Sequence, residues 1–210
     1  RISPDYTGAM PKATVQLYSI GYYDKSSADT DENNVAAWQY VGTPIDFKGA
    51  LAKTVFTRSW IYSYDESSDS WVNNRKNLVM QPFVGYATTQ YDSEAGKLLE
   101  YKGELIPNTN HTINLAYSAS NGYNVVANSF AAPIDITKMR NTDFVNVDDP
   151  TIYLFHTGTH KQAEDNLGTE GSSAGQFISI AIGTAGEMAT LFADDDIPTT
   201  IAPMQGFGIY

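Results

Sequence analysis

Short segments in which large apolar and polar side chains alternate are the feature that most constrains how this chain can fold. In residues 60–65 (WIYSYD) every second side chain falls on the same face of an extended backbone, and residues 14–23, 97–105 and 151–156 are similar segments of strand length. Gly, Pro, Asn and Asp residues separate the segments, and 14 Tyr and 9 Phe residues favour strands. We therefore predict an all-β protein with a β-sandwich or jelly-roll-like fold.

The remaining secondary structure follows from the same patterns. Residues 66–70 should form a turn that joins residues 60–65 to a return strand beginning at Trp71. Further strands are predicted at residues 37–43, 78–90, 112–117, 123–128, 176–183 and within 198–210. Helix signals are few, and short helices are predicted at residues 33–38, 136–140 and 184–192.

Three segments occur twice and in the same order. The first set is WQYVGTPID (38–46), WIYSYD (60–65) and MQPFVGY (80–86), and the second is YNVVANSFAAPID (123–135), TIYLFH (151–156) and MQGFGIY (204–210). Such ordered similarity indicates two copies of one supersecondary unit. We predict an N-terminal strand and acidic loop in residues 1–36, followed by a duplicated module in residues 37–210. Its halves span about 37–105 and 106–210 and should form one compact unit.

The repeated Pro-Ile-Asp sequence has a structural interpretation. Pro44 and Pro133 have no N–H group to donate to a strand ladder, so each should mark the end of a strand. Asp46 and Asp135 can accept hydrogen bonds from the backbone and thereby hold a turn or cap a short helix. The alternative is that this pair of carboxylates serves a binding site.

Charge and composition exclude several classes of partner and chemistry. The chain of 210 residues has 24 acidic and 13 basic residues and a formal net charge of -11, which disfavours nucleic acid and anionic membranes as partners. It contains no Cys, so disulfides and thiolate chemistry are excluded. No apolar run has the length needed for membrane insertion. Because the sequence begins at Arg1 without a visible signal peptide, we expect a segment of a longer polypeptide.

The second set of repeated segments resembles a pattern found in surface proteins of Bacteroidetes, often substrates of type IX secretion. Residues 122–130 (GYNVVANSF) with Ile134-Asp135 are similar to a Gly-Trp-Asn-Leu-Ile-Gly-Asn-Pro-Tyr run that ends in Ile-Asp. Residues 151–155 (TIYLF) and 201–207 (IAPMQGF) are similar to the strand segments that follow that run. The chain departs from the pattern in having Tyr123, Ala127 and Ser129 where the pattern has Trp, Gly and Pro.

This resemblance implies an architecture and a location rather than an activity. It implies an extracellular β-sandwich module, located on the bacterial cell surface or secreted, of the kind found upstream of a C-terminal sorting domain. The pattern occurs in long proteins of varied function, so the expected partners include the rest of the parent polypeptide.

Aromatic residues close to acidic residues are the candidates for ligand binding. Trp71, Tyr64, Asp65 and Asp69 surround the predicted hairpin turn, where a ring can stack on a sugar and carboxylates can bind its hydroxyl groups. The side chains at positions 60, 62 and 64 share one face of their strand, which is either packed in the core or open as a stacking platform. The corresponding partner is a glycan or a host or cell-surface protein.

No cofactor other than calcium is expected. Calcium prefers several converging oxygen ligands, and the candidate ligands are Asp194, Asp195 and Asp196 in one cluster and Asp29 and Asp31 in another. Neither cluster matches the EF-hand loop, and the alternative is that both are solvated turns.

Three other patterns are not assigned to chemistry. His156 and His160 lack the helix and the Glu of a zinc-protease motif, so we interpret them as part of a polar loop. The Ser- and Gly-rich segment TEGSSAG (169–175) lacks the strand–turn–helix context of a hydrolase nucleophile. Acidic residues are numerous, but nothing in the sequence pairs two of them across a cleft.

The sequence therefore predicts a non-catalytic structural or adhesive β-module of a larger secreted or cell-surface bacterial protein. Two alternatives remain at this stage. One is a carbohydrate-binding module, and the other is an accessory domain of a hydrolase whose catalytic part lies outside this chain.

Overall fold

Antiparallel strands form most of the regular structure. The computed structural model describes residues 6, 8–23, 36–74, 76–90, 97–118, 121–157, 176–193 and 197–210. In these residues the strands are β1 (Lys12–Ser19), β2 (Tyr22–Tyr23), β3 (Ala36–Ala37), β4 (Gln39–Val41), β5 (Ile45–Asp46), β6 (Ser59–Asp65), β7 (Ser70–Asn73), β8 (Tyr86–Gln90), β9 (Lys97–Leu105), β10 (Asn124–Ala127), β11 (Ile134–Asp135), β12 (Thr151–His156), β13 (Gln176–Ala181), β14 (Thr200–Ile201) and β15 (Gly206–Ile209). The predicted all-β sandwich class is confirmed.

Helices are short and lie between strands. The helix α1 spans Ala185–Leu191, and 3-10 helices span Ala52–Thr54, Glu66–Ser68, Ile136–Lys138 and Asn141–Asp143. The N-terminus of α1 is capped by Thr184, whose N–H group donates to Glu187 Oε2 at 2.6 Å. The predicted helices at 136–140 and 184–192 are confirmed in part of their length. The predicted helix at 33–38 is wrong, because Ala36–Ala37 pairs with β2 as a strand, and residues 33–35 lie outside the described residues.

Two strand predictions fail for identifiable reasons. Residues 112–117 alternate like a strand but form none, since the Asn124 side chain binds the N–H and C=O groups of Ala116 at 2.8 and 2.9 Å. The segment predicted at 78–90 becomes a strand only from Tyr86. The left-handed backbone at Phe83, with φ 64°, turns the chain just before that point.

The first core lies between two sheets. Sheet I has the strand order β4-β8-β6-β7, and sheet III has the order β1-β9-β5. Leu99 and Tyr101 of β9 point inward and pack in the same cluster as Ile61 of β6 and Val41 of β4. Burial of these side chains, at about 25 cal/mol per Å² of apolar surface, holds the two sheets together.

The second core covers one face of sheet II, whose strand order is β10-β15-β12-β13. Ile152 and Ile180 from the sheet are buried in one cluster with Met188 of α1 and Ile201 of β14. The helix and the short β11-β14 pair therefore close this face, and the opposite face of sheet II remains for contact with sheet I.

Sheets I and II have the same strand order. In each of them the last strand along the chain lies between the first and the second, and the third strand is at the far edge. Alignment of the two repeated sequence segments pairs Met204 with Met80. In strand register and backbone conformation, however, Met204 (φ 63°) corresponds to Phe83 (φ 64°). Gly42 N–H donates to Met204 O at 2.8 Å, and Ala127 N–H donates to Phe83 O at 3.1 Å. That the two halves are copies of one supersecondary unit stays a prediction. Two such copies are expected to share a strand order, as sheets I and II do.

Candidate functional site

Aromatic side chains fill the space between sheets I and II. We call this set the aromatic layer, and it consists of Tyr40, Tyr64, Trp71, Tyr123, Tyr153, Phe155 and Phe177. Tyr40 of sheet I stacks on Phe155 of sheet II with ring centroids 4.8 Å apart and planes 13° apart. Tyr64 meets Tyr123 edge-on at 5.2 Å. Such contacts add about 0.5–1.5 kcal/mol each beyond area burial, so the layer joins the two sheets.

The two most exposed rings of the aromatic layer lie on edge strands. Trp71 is 36% exposed and lies on β7, the edge strand of sheet I, whereas Phe177 is 43% exposed and lies on β13, the edge strand of sheet II. Both meet Tyr40 edge-on, at 5.4 and 5.8 Å between ring centroids. Each of the two sheets therefore contributes one of the two most exposed rings.

Tyr123 occupies the inner part of the layer. Its hydroxyl lies against Gly208, where an added Cβ would be 2.4 Å from the Tyr123 oxygen, so only glycine leaves room for this ring. Burial raises the pKa of Tyr40 to about 12 and also raises the pKa of Tyr123. Both phenols are therefore neutral at physiological pH and act as packing groups.

The hairpin tip positions the acidic candidates differently from one another. Asp69 has a left-handed backbone (φ 48°) and accepts hydrogen bonds from Tyr64 Oη and from Asn121 Nδ2, the latter at 3.1 Å. Asp65 instead caps the 3-10 helix at residues 66–68, where it accepts from the Ser67 N–H at 3.0 Å. Hydrogen bonds from Ser67 lower the pKa of Asp65.

The structure thus brings together Tyr64, Asp69 and Trp71, because Tyr64 and Trp71 are cross-strand partners and meet at 5.4 Å. The carboxylate of Asp65 is occupied by its own turn. The face of β6 at positions 60, 62 and 64 is half-buried, and Ile61 on the opposite face is 2% exposed. This face is therefore mainly a packing surface.

Glu66 is a residue that the sequence analysis missed. Its side chain is 4% exposed, and Oε2 accepts hydrogen bonds from the N–H and the hydroxyl of Ser118 at 2.9 and 2.5 Å. Oε1 accepts from the Gly122 N–H at 3.3 Å. This carboxylate ties the hairpin of sheet I to the segment that leads into β10. Nothing distinguishes it from the other acids of its turn in the sequence, since its partners lie more than fifty residues away.

The repeated Pro-Ile-Asp segments hold turns. Asp46 Oδ1 accepts from the Lys48 N–H at 2.8 Å, and Asp135 Oδ1 accepts from the Thr137 N–H at 3.0 Å and caps a 3-10 helix. Fully buried Asn128 donates to the carbonyl of Ile201 at 3.0 Å. These contacts confirm the predicted roles of Asp46 and Asp135, whereas Pro44 and Pro133 directly precede the short strands β5 and β11 and do not end a strand.

The calcium candidates Asp29, Asp31, Asp194, Asp195 and Asp196 lie outside the described residues, as do His160 and residues 169–175. In the part of the chain that the structure describes, no group of three or more His, Asp or Glu side chains is arranged to hold a metal ion. His156 is exposed at the end of β12.

The fold and the aromatic layer define an all-β sandwich whose two similar sheets face each other through aromatic rings. No protein-family model, no curated protein and no solved structure matches the chain. Among the described residues, no helix has the length and apolar character needed to span a membrane.

Proposed function

We propose that the chain is a non-catalytic structural or adhesive β-module of a larger secreted or cell-surface bacterial protein. The observation that carries this proposal is that several acidic side chains in the described residues hold turns and caps. Asp46, Asp65, Asp135 and Glu187 each accept a hydrogen bond from a backbone N–H group two or three residues away. Glu66 joins two parts of the fold in the same way.

The extracellular location and the bacterial lineage are supported by the sequence resemblance. The three segments that carry it include β10, β12 and β15, and these strands are neighbours in sheet II. A sequence pattern spread over about eighty residues thus coincides with one continuous piece of sheet.

A second candidate function, carbohydrate binding, is favoured by one observation. Trp71 is partly exposed beside Tyr64, and Tyr64 is hydrogen bonded to Asp69, which also binds the Asn121 amide. An exposed ring next to carboxylate and amide groups is the combination that recognises the apolar face and the hydroxyl groups of a sugar.

A glycan array, run with and without calcium, separates the two functions. The structural or adhesive module predicts that the native chain binds no glycan under either condition. Carbohydrate binding predicts that a glycan is bound and that Trp71→Ala weakens the binding by about tenfold or more, the loss typical of a buried aromatic contact. Val72→Ala is the matched control, because Val72 is exposed on the same strand and points to the opposite face.

A further inference from the structure

One edge of β9 has little strand pairing. On one side β9 pairs with β1 from Lys97 to Glu104, whereas on the other side the ladder to β5 includes only Glu104 and Leu105. The ladder to β5 ends because the chain turns away at Lys48 and Gly49, whose φ angles are 46° and 84°. Most of this edge of β9 therefore has no strand partner in the described part of the chain.

The hydrogen bonds at the end of β9 show which of its main-chain groups face that edge. Leu105 N–H donates toward β1, to Pro11 O at 3.0 Å, and Ile106 N–H donates to Pro44 O at 3.1 Å, next to β5. Successive residues of an antiparallel strand point their main-chain groups to opposite sides. Leu98, Glu100 and Lys102 consequently direct their N–H and C=O groups away from β1 and toward the edge without a partner.

A groove with a volume of about 420 Å³ runs beside this edge, and we call it the β9 groove. Its wall from β9 includes Leu98, Glu100 and Lys102, the same residues whose main-chain groups face outward. Buried Phe47 and Val55 give the groove an apolar base. A strand of five residues spans about 13 Å, so the edge from residue 98 to residue 102 matches a short added strand.

The charge at one end of the groove favours an acidic occupant. Lys97 lines this end of the groove and donates to Thr57 Oγ1 at 2.8 Å. The other charged residues of the lining, Glu100 and Lys102, form an ion pair at 3.1 Å, so Lys97 leaves the described lining with an excess of positive charge. A carboxylate of the occupant placed beside Lys97 would balance that charge.

We propose that the β9 groove accepts an extended, acidic segment of another polypeptide as an added β-strand beside β9. Main-chain hydrogen bonds to Leu98, Glu100 and Lys102 supply the affinity, and apolar side chains of the segment rest on Phe47 and Val55. An acidic side chain of the segment lies at the Lys97 end. This surface shares no residue with the aromatic layer and goes beyond the proposed function.

The probe is a synthetic peptide of alternating Val and Thr with Glu at each end, titrated against the full chain. Two further forms of the peptide carry N-methyl groups on alternate amides, in the two possible registers. Strand addition predicts that the unmethylated peptide binds and that one methylated form loses binding while the other retains it, because only one set of amides faces β9. The proposal is overturned by absence of binding of the unmethylated peptide, or by equal affinities of the two methylated forms.

Two proline variants locate the peptide on the protein. Glu100→Pro removes an N–H group that faces the groove, and we expect it to weaken peptide binding by about tenfold, the effect of roughly one hydrogen bond. Gln16→Pro is the matched control, because Gln16 pairs with Glu100 and directs its own N–H away from β9. Equal effects of the two variants would contradict binding at the groove. The methylated peptides decide the question on the native chain even if a variant fails to fold.

Discussion

Two buried tyrosines in the core between sheets I and III differ in how their hydroxyl groups are satisfied. Tyr101 is fully buried, and its oxygen has no hydrogen-bond partner among the described residues. Tyr86 is 2% exposed, and its oxygen accepts a hydrogen bond from the Gln81 N–H at 3.0 Å. A buried polar atom without a partner costs about 1–3 kcal/mol, so the same substitution should act in opposite directions at the two sites.

We expect Tyr101→Phe to raise the free energy of unfolding by about 1 kcal/mol, because it removes a desolvated hydroxyl. Tyr86→Phe should lower it by about 1 kcal/mol, because the Gln81 N–H then loses its acceptor. Urea unfolding of both variants measures the difference. Destabilisation of similar size in both would show that Tyr101 has a partner in solution.

Tyr40 gives a residue-scale prediction of pH dependence. Burial raises its pKa to about 12, whereas the unfolded chain titrates near the ordinary value of about 10. The folded state therefore holds the proton more tightly, and the stability from this group is present below about pH 10 and is lost as the pH rises toward about 12.

Tyr40→Phe removes this titration. Between about pH 10 and pH 12, the free energy of unfolding should fall less steeply with pH in the variant than in the native chain. Tyr117→Phe, which removes the hydroxyl of an 87% exposed ring, is the control for the loss of a Tyr hydroxyl. Identical slopes for native and Tyr40→Phe chains would refute the assignment of this effect to Tyr40.

At the scale of elements, glycines allow sheets I and II to approach. A Cβ at Gly85 would lie 2.5 Å from Val126 O, and one at Gly206 would lie 3.0 Å from the backbone carbonyl carbon of Tyr40. Backbone atoms cannot move aside as a side-chain end can, so this close contact depends on the absence of a side chain.

Gly85→Ala should therefore lower the free energy of unfolding by about 1–3 kcal/mol, the usual cost of an overpacked contact. Gly186→Ala is the matched control, since Gly186 lies in α1 with no atom within 4 Å of an added Cβ. This control should raise stability by about 0.5–1 kcal/mol through helix propensity. Thermal unfolding of both variants gives the comparison, and equal effects would argue against close approach of the sheets at Gly85.

Local pattern predicts an element well where the element's own residues decide its structure. Residues 97–105 and 151–156 form strands with the predicted bounds, because their alternation matches a sheet with one face buried. Residues 112–117 alternate as well, but the Asn124 side chain occupies the main-chain groups of Ala116. A side chain from another element decided that outcome, and no local pattern contains this information.

The sequence predicted the local contacts of the candidate site but not the contacts between its two sheets. Tyr64, Asp69 and Trp71 are close in sequence and meet through a hairpin, so spacing sufficed to bring them together. The stacking of Tyr40 on Phe155 joins residues more than one hundred positions apart. That contact depends on how sheets I and II face each other, which strand patterns do not determine.

At the scale of the whole molecule, the aromatic layer joins sheets I and II into one structural unit. The chain provides a separate probe for each half, because Trp38, Trp60 and Trp71 all lie in residues 37–105. Tryptophan fluorescence therefore reports the first half, and hydrogen exchange at the amides of β12 and β15 reports sheet II.

The most direct test is urea unfolding of the native chain followed by both probes. We expect the fluorescence midpoint to coincide with the midpoint at which the amides of β12 and β15 lose protection, since a shared layer makes unfolding cooperative. Two separate midpoints would contradict it and would show that the halves unfold as independent units.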